Sequence, residues 1–294
     1  PMAKKAYKEN RGGIIHCNID NKTFNSMINT NYNINLDCKN FIKQLLPNIK
    51  YKKRKEWLKE INIWKNESGF IYEPVDNKIY SQDVLIELNK LITLMKKTKN
   101  KDYMFTTGVG NHQMFTAQFI NFDKPNTLIT SGSMGVMGFG LPAAIGVAIG
   151  NPEKDIIDID GDGSFLMTLS DLKTAKQYKL KNLKILILNN KTLGMVDIWE
   201  KLFYDNRITA TDNSYCPDFY KVAKSFGIKN LVCNNKKNLN NILYEFLNTE
   251  GPILAEIQVE HTPCYPLVAP GKSLNEMILW NTKDIIIDKT LPPS

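Results

Sequence analysis

The pattern of apolar and polar positions becomes regular near residue 80. From there to about residue 259, short apolar runs alternate with longer stretches in which apolar residues recur every three or four positions. The short runs predict strands, and the longer stretches predict helices. Runs such as Ile156–Ile159 and Ile185–Leu188 are almost wholly apolar, which is typical of strands buried on both faces. We therefore predict an α/β fold with an open, mostly parallel sheet and helices on both faces.

The predicted strands and helices alternate along this part of the chain. The strands are Tyr103–Thr107, Thr127–Thr130, Ile156–Ile159, Lys184–Leu188, Leu231–Cys233 and Ile253–Val259. A first helix, Gln82–Lys96, is expected to have Ser81 as its N-cap. The later helices are His112–Phe119, Leu141–Ile149, Leu169–Tyr178, Asp218–Phe226 and Leu239–Leu247. In a sheet of this kind, ligands are expected beyond the carboxyl ends of the strands.

The residues before position 80 have a different pattern. Gly13–Ile19 reads as a β-type run with no preceding element to pair with, and the Asn-rich segment after it has little periodicity. Tyr51–Lys65 is predicted to be helical, because Trp57 and Trp64 recur at helical spacing. That stripe suits either contact with a neighbouring domain or ordinary helix packing. Glu67–Lys78, which contains Gly and Pro, reads as a linker.

Composition narrows the class of protein. The chain has 294 residues, of which 43% are hydrophobic and 23% charged, and these values exclude a disordered or fibrous chain. No apolar stretch is long enough to cross a bilayer and no secretory signal opens the sequence, so we expect a soluble intracellular protein without a membrane partner. The net charge of +8 comes mostly from dispersed lysines, and we expect no nucleic-acid partner. The five cysteines form no C-x-x-C pair, which argues against a zinc site or a disulfide framework.

The segment from Ile156 to Asn190 is the most informative about chemistry. One predicted strand ends in Asp160–Ser164 (DGDGS), and the next ends in Asn189 and Asn190. Glycines after a strand let backbone N–H groups approach a phosphate, but the carboxylate of Asp162 would repel a bare phosphate. A cation between the two removes that repulsion, and Mg²⁺ fits because it binds one or two protein oxygens together with phosphate oxygens. The alternative is that Asp162 caps a helix and Asn190 lies in a turn; the pairing of two adjacent strand ends favours the metal.

Four segments together resemble a known family. The GDGSF motif, followed after a strand by NN, is similar to the thiamine-diphosphate binding motif of thiamine-dependent enzymes. Three further segments resemble the catalytic subunit of acetolactate synthase, also called acetohydroxyacid synthase. They are Thr107–Met114 (TGVGNHQM), Ser131–Ala144 (SGSMGVMGFGLPAA) and Leu193–Asn206 (LGMVDIWEKLFYDN). The resemblance runs over nearly the whole chain, including the tail near Pro266–Gly271.

The resemblance implies thiamine diphosphate as a cofactor and assigns its contacts. Met137 is expected to hold the cofactor in a bent shape that brings its amino group to the thiazolium carbon. The backbone of Gly135 and Met137 is expected to bind the aminopyrimidine, and Met195 and Val196 to complete the site. The diphosphate is expected to lie against Val109, Gly110, Asn111, His112, Gly163 and Ser164. Asn111 stands where the family usually has Gln, and we expect His112 to contact phosphate rather than act as a general base.

The resemblance also assigns the metal and the substrate pocket. The expected ligands of Mg²⁺ are Asp162, Asn190 and the backbone carbonyl of Thr192. Trp199 is expected to shape the pocket for the second 2-oxo acid and to favour an ethyl over a methyl group, a discrimination worth about 1–3 kcal/mol. From the residues alone, an amphipathic helix that buries Trp199 and Phe203 is an alternative interpretation of that segment.

The implied reaction decarboxylates pyruvate and condenses the two-carbon unit with pyruvate or 2-oxobutanoate, in valine, leucine and isoleucine biosynthesis. The family implies a homodimer or tetramer, FAD as a structural cofactor, and a location in bacterial cytoplasm, mitochondria or plastids, and it leaves a regulatory subunit open. Residues 1–45 are expected to be a remnant of the central FAD-type domain, 46–78 a helical linker, and 79–294 the thiamine-diphosphate domain with a tail. The family's activating Glu belongs to an amino-terminal domain that precedes this segment, so we expect these residues alone to be inactive.

Three alternatives stay open. The first is another thiamine-diphosphate enzyme, namely a 2-oxo acid decarboxylase, oxidase or carboligase. The second is a non-catalytic fragment that binds the cofactor without turnover. The third, a basic nucleic-acid binder, has only the net charge in its favour.

Overall fold

The computed structural model of the protein describes residues 13–67, 70, 72–272 and 274–279. The described residues form two compact units, one from residues up to 70 together with 266–279, and the other from 72–265. The first unit contains a pair of strands, and the second contains a sheet of six strands.

The smaller unit consists of short elements. Strand β1 (Ile15–Asn18) pairs in parallel with β2 (Tyr32–Asn35), and helices α1 (Cys38–Leu45) and α2 (Lys55–Glu67) follow. The β-type run predicted at Gly13–Ile19 contains β1, and its partner β2 comes from the Asn-rich segment that follows it. The predicted helix at Tyr51–Lys65 is present and begins at Lys55.

The larger unit is built on one sheet, in which all neighbouring strands are parallel. Its strands are β3 (Tyr103–Thr107), β4 (Leu128–Thr130), β5 (Asp155–Gly161), β6 (Leu183–Asn189), β7 (Lys229–Cys233) and β8 (Ile253–Gln258). Their order across the sheet is β4-β3-β5-β6-β8-β7. The predicted open α/β fold with a parallel sheet is confirmed.

Helices cover both faces of this sheet. They are α3 (Ser81–Lys99), α4 (Asn111–Phe119), α5 (Gly140–Gly150), α6 (Asp162–Leu166), α7 (Leu172–Gln177), α8 (Gly194–Phe203), α9 (Phe219–Ser225) and α10 (Leu239–Asn248). Helices α3, α4 and α10 pack in the hydrophobic core on one face, and α5, α6, α7 and α9 pack in the core on the other.

Side chains of the central strands alternate between these two cores. In β6, Leu186 and Leu188 belong to one core, whereas Ile185 and Ile187 belong to the other. Successive residues of a strand point to opposite faces of the sheet, so a continuous apolar run is what burial on both faces requires. This explains why the almost wholly apolar runs predicted the middle of the sheet.

The strand order creates a crevice. After β3 the chain continues to β4 on one side of β3, and it then returns to β5 on the other side. The loops that follow β3 and β5 therefore diverge, and an opening is left beyond the carboxyl ends of these two strands. The fold thus places Gly108–His112 and Asp160–Ser164 on opposite sides of one opening.

Two local predictions are wrong. Ser81 is the first residue of α3 rather than its N-cap; Tyr80 precedes the helix, and its backbone N–H donates to Asp83 Oδ2 at 2.9 Å. The helix predicted at Leu169–Tyr178 begins with a 3₁₀ turn at Leu169–Asp171, and α7 follows that turn. Within the described part of the chain, none of the helices combines the length and apolar character needed to cross a membrane.

Candidate functional site

A cleft of about 240 Å³ opens beyond the carboxyl ends of β3, β5 and β6. It is lined by every residue predicted to bind the cofactor or the metal: Val109, Gly110, Asn111, His112, Gly135, Met137, Asp162, Gly163, Ser164, Asn190, Thr192, Met195 and Val196. Trp199, the predicted substrate residue, lies further along α8 and does not line this cleft. Its ring meets that of Phe203 edge to face, with 5.2 Å between the ring centroids. The fold therefore brings together positions from four separate loops, and the roles predicted for them remain predictions.

The loop after β3 approaches the loop after β5 very closely. A Cβ atom added to Gly108 would lie 1.8 Å from Asp160 Oδ1 and 2.2 Å from Ser164 Oγ. Such distances leave no room for any side chain, so glycine is required at this position. The close approach lets the backbone N–H of Val109 donate to Ser164 Oγ at 3.2 Å.

Ser164 joins three segments of the site. Its hydroxyl oxygen accepts hydrogen bonds from the backbone N–H of Val109 and, at 3.1 Å, from that of Gly138. The same hydroxyl hydrogen-bonds with the carboxyl group of Asp160, at the end of β5. Because Ser164 is buried, these bonds fix the loop after β3 and the glycine-rich turn 135–138 relative to β5.

Met137 lies in a turn whose shape depends on glycine. Gly135 and Gly138 have φ values of +66° and +84°, in the left-handed region that residues with a Cβ rarely adopt. A Cβ built on Gly163 would lie 3.6 Å from the terminal methyl of Met137 and 2.3 Å from Leu193 Cδ2. The two apolar side chains therefore flank Gly163 at the wall of the cleft.

Three buried carboxyl groups follow one another at the end of β5. Burial raises the pKa of Asp158 well above its ordinary value, and the neighbouring Asp160 raises it further. Burial raises the pKa of Asp160 to about 7, although hydrogen bonds from Ser164 and from the N–H of Gly161 oppose the shift. Burial likewise raises the pKa of Asp162 to about 6, against a hydrogen bond from Asn213. The site thus concentrates potential negative charge where little water reaches it.

His112 is buried beside these carboxyl groups. Its Nε2 lies 3.3 Å from Asp160 Oδ1. A Cβ on Gly161 would lie 2.5 Å from the ring's Nδ1, so the ring packs directly on the strand end. Burial lowers the pKa of His112 to about 4, which makes the imidazole neutral at physiological pH.

The three predicted metal ligands come from the ends of two adjacent strands. Asp162 follows β5, and Asn190 and Thr192 follow β6, which pairs with β5. Asp162 Oδ2 accepts a hydrogen bond from Asn213 Nδ2 at 2.6 Å, and Asn190 Oδ1 accepts one from the backbone N–H of Thr192 at 3.2 Å. A carboxylate, an amide oxygen and a carbonyl oxygen are the donors that Mg²⁺ prefers.

The donor set fits an ion that is shared with a phosphate. Among the described residues, no group of three or more His, Cys, Asp or Glu could hold a metal by itself. One carboxylate with neutral oxygens suits Mg²⁺ that keeps positions for phosphate oxygens, rather than an all-protein cage. The buried carboxyl of Asp162 also suits a cation, which would stabilise its ionised form.

Sequence reasoning assigned no role to three polar residues beside this site, and it left His261 undecided. Asn213 bonds to Asp162, and His261 lies between Asn190 and Asp197, with His261 Nε2 2.5 Å from Asp197 Oδ2. Burial lowers the pKa of His261, and its bond to Asp197 opposes that shift. Asn213 and His261 lie in irregular segments without periodicity, so only their residue types could have drawn attention to them.

Comparison with known proteins identifies the class of protein that this site defines. The family model described as "Thiamine pyrophosphate enzyme, C-terminal TPP binding domain" matches residues 108–257, about half of the chain, and this range contains every residue predicted to bind the cofactor or the metal. The chain therefore belongs to the thiamine pyrophosphate enzyme family.

Its relatives narrow the resemblance. The chain is 41% identical, over 95% of its length, to the "acetolactate synthase catalytic subunit, mitochondrial" of Saccharomyces cerevisiae. It is 41% identical over 95% of its length to the "acetolactate synthase, mitochondrial" of Schizosaccharomyces pombe, and 37% identical over 90% to the "acetolactate synthase large subunit" of Buchnera aphidicola. The alignments cover 40%, 42% and 47% of these relatives, so the chain spans less than half of their length.

Proposed function

We propose that the protein is the part of an acetolactate synthase that binds thiamine diphosphate through Mg²⁺. The observation that carries this proposal is the meeting of Asp162, from the end of β5, with Asn190, from the end of β6, on the wall of one cleft. Glycines stand beside both residues, Gly163 next to Asp162 in the chain and Gly194 close to the amide of Asn190, and glycine lets a backbone approach a diphosphate closely. The relatives' names support acetolactate synthase as the activity of the whole protein.

Different residues of the cleft are proposed to bind the metal, the diphosphate and the aminopyrimidine. Asp162, Asn190 and the carbonyl of Thr192 would hold Mg²⁺, and Val109, Gly110, Asn111, His112, Gly163 and Ser164 would surround the diphosphate. Met137, supported by the turn at Gly135, would press on the middle of the cofactor, while the backbone of Gly135 and Met137 binds the aminopyrimidine. Met195 and Val196 would close the site from the first turn of α8. Thiamine diphosphate, when bound, supplies a carbon acid that can take up the charge left by decarboxylation of a 2-oxo acid.

Hydrogen bonds already made within the protein restrict the contacts that individual side chains can make with the cofactor. Ser164 already accepts two backbone hydrogen bonds, so its contribution is to fix the loops that approach the diphosphate. Asn111 Nδ2 donates to the carbonyl of Thr262 at 3.4 Å, which leaves its Oδ1 and backbone for other contacts. His112 is neutral and buried, and a neutral ring N–H can donate to phosphate without a proton transfer.

Substrate selection is proposed for α8. Met195 and Val196 line the cleft, and Trp199 lies one turn further along the same helix. We propose pyruvate as donor and pyruvate or 2-oxobutanoate as acceptor, with Trp199 favouring the larger acceptor. FAD, a homodimer or tetramer, a regulatory subunit, and the division into a central-domain remnant, a linker and a thiamine-diphosphate domain are proposed from the same resemblance.

A product assay tests the proposed activity. The purified protein, with any partner that copurifies, is incubated with pyruvate, thiamine diphosphate, Mg²⁺ and FAD. Acetolactate is the expected product when a partner that completes the site copurifies. Without such a partner, residues 1–294 are expected to give no acetolactate, because the chain spans less than half of its relatives' length. Acetaldehyde, acetyl phosphate or tartronate semialdehyde instead would point to another member of the thiamine-diphosphate family. Binding of the cofactor by a protein that shows no turnover in any assembly would favour the non-catalytic alternative.

A further inference from the structure

A chain of hydrogen bonds links α8 to Asn190. His261 lies just after β8, and its Nε2 is 2.5 Å from Asp197 Oδ2. The other ring nitrogen, Nδ1, is 3.2 Å from Asn190 Nδ2. Asp197 belongs to the first turns of α8, and its Oδ2 also pairs with Lys201 Nζ at 2.7 Å. The side chains of Asp197, His261 and Asn190 therefore form a continuous relay, with Lys201 at its outer end.

The chemistry of these groups fixes the direction of each bond. A carboxylate only accepts, so the proton between His261 and Asp197 belongs to Nε2. An amide nitrogen only donates, so Asn190 Nδ2 donates to Nδ1 of His261. The ring is therefore held as the tautomer whose Nδ1 is an acceptor. Although burial raises the pKa of Asp197, the bonds from Lys201 and His261 lower it overall and keep the carboxylate ionised.

The oxygen of the Asn190 side-chain amide also has a defined partner. Asn190 Oδ1 accepts from the backbone N–H of Thr192, so the nitrogen and the oxygen each have one partner, and these partners cannot be exchanged. An oxygen has a second lone pair, which leaves Oδ1 able to bind a cation. Because Nδ1 of His261 accepts from the amide nitrogen of Asn190, the amide oxygen is the end left to face the proposed metal position.

The packing around the amide is too close for the side chain to turn freely. A Cβ added to Gly194 would lie 2.8 Å from Asn190 Nδ2, 2.9 Å from Asn111 Nδ2 and 3.1 Å from His261 Cε1. Three side chains of the site therefore converge on the first residue of α8, where only glycine leaves them space.

We propose that His261, oriented by Asp197, is a positioning residue that sets the amide of Asn190 so that its oxygen faces Mg²⁺. This inference rests on the proposed function, because it concerns the metal that the cleft is proposed to hold. It adds a residue outside the metal ligands and the cleft wall, from a segment 71 residues further along the chain. It also makes metal binding depend on α8, the helix proposed to select the substrate.

The test compares two replacements of His261. In His261→Asn, the side-chain oxygen occupies the position of Nδ1 and can accept from Asn190, although the bond to Asp197 is lost. In His261→Leu, the volume is similar but no acceptor remains. The apparent dissociation constant of Mg²⁺ is measured calorimetrically in the presence of a fixed concentration of thiamine diphosphate. Removing a hydrogen-bond partner of a metal ligand weakens metal binding by about 10- to 100-fold, so His261→Leu is expected to lose about that much and His261→Asn clearly less.

Two further variants separate positioning from general damage. Asp197→Asn no longer dictates the tautomer of the ring, so Mg²⁺ binding is expected to weaken by about tenfold. Glu260→Gln is the matched control, because Glu260 precedes His261 in the chain and its exposed carboxylate pairs with Lys78 at 3.1 Å. This control is expected to bind Mg²⁺ like the wild type, and the thermal midpoint of each metal-free variant shows whether it is folded.

The outcomes separate this inference from the proposed function. Wild-type protein that binds no thiamine diphosphate with Mg²⁺ overturns both. If the wild type binds but His261→Leu binds Mg²⁺ equally well, or His261→Leu and His261→Asn are weakened equally, only the positioning role is overturned. Should His261→Leu fail to fold, Asp197→Asn decides: wild-type Mg²⁺ affinity in that variant refutes the relay, and the expected loss supports it.

Discussion

Replacing Asp162 by asparagine is expected to make the metal-free protein more stable and to abolish the proposed binding of Mg²⁺. Asp162 is 2% exposed, and burial raises the pKa of its carboxyl from 3.8 to about 6. A folded-state pKa above the unfolded value means that the folded protein binds the proton more tightly than the unfolded chain does. Ionisation therefore destabilises the fold, with no effect below about pH 3.8 and the full effect above about pH 6. A shift of about two units corresponds to about 3 kcal/mol, since each unit is worth 1.36 kcal/mol.

The assay is thermal and urea unfolding of the metal-free protein. At pH 8, Asp162→Asn is expected to raise the free energy of unfolding by up to about 3 kcal/mol, and the difference from wild type should shrink toward zero near pH 4. With thiamine diphosphate and Mg²⁺ at about a hundred times the dissociation constant, the wild type is expected to gain about 2.7 kcal/mol and the variant nothing. The difference in the free energy of unfolding between the two proteins at pH 8 is therefore expected to fall to near zero when the ligands are added.

The control is Asp76→Asn, which neutralises an exposed carboxyl in the same unit and should change neither stability nor ligand response. If Asp162→Asn is no more stable than wild type at pH 8, burial of this charge does not carry the penalty derived above. If the variant gains the same stabilisation from the ligands, Asp162 is not a metal ligand.

Two other changes probe the packing and the buried acids beneath the cleft. Gly108→Ala places a methyl group 1.8 Å from Asp160 Oδ1 and is expected to lower the free energy of unfolding by about 1–3 kcal/mol. The control is Gly146→Ala, on an exposed helical turn where a Cβ meets nothing within 4 Å, and it should raise the free energy of unfolding by about 0.5–1 kcal/mol. Equal effects of the two changes in urea unfolding would contradict the steric explanation. The folded state also holds the proton of Asp158 more tightly than the unfolded chain does, so Asp158 adds to the loss of wild-type stability as pH rises from about 4. Asp158→Asn should make that loss smaller, although Asp160 and Asp162 still contribute to it. Parallel stability curves for the two proteins would exclude Asp158 as a cause.

The centre of the sheet could be predicted because its sequence leaves few alternatives. The predicted strand Tyr103–Thr107 coincides with β3, and Ile156–Ile159 and Lys184–Leu188 lie within β5 and β6. An apolar run this short, bounded by glycine or asparagine, favours a strand buried on both faces over a helix. The cleft followed from the same reasoning, since the carboxyl ends of adjacent parallel strands meet at one edge.

The elements that were missed lack such a pattern. Strand β2 (YNIN) is polar on most positions and mostly exposed, so neither its composition nor its period indicates a strand. Helix α6 has five residues, too few for helical periodicity to be visible. Helix α8 is an exception, because its apolar residues recur at helical spacing; it was named as an alternative interpretation of the segment around Trp199 and Phe203, and the structure contains it.

The relay at His261 could not be predicted for a different reason. Its partners Asp197 and Asn190 are 64 and 71 residues away in the chain, so only the fold brings them together. A partly buried histidine such as His261 is by itself compatible with packing, metal binding or proton transfer. The carboxylate of Asp197 only accepts and the amide nitrogen of Asn190 only donates, so these two groups define the tautomer of the ring.

The most direct test of the central claim is a calorimetric titration of the protein with thiamine diphosphate, in Mg²⁺ and again after removal of divalent ions with EDTA. If the tips of β5 and β6 hold a cation between Asp162, Asn190 and a diphosphate, one cofactor binds per chain in Mg²⁺, and binding is lost in EDTA and in Asp162→Asn. Absence of binding in Mg²⁺, or the same affinity with and without the ion, would contradict the claim.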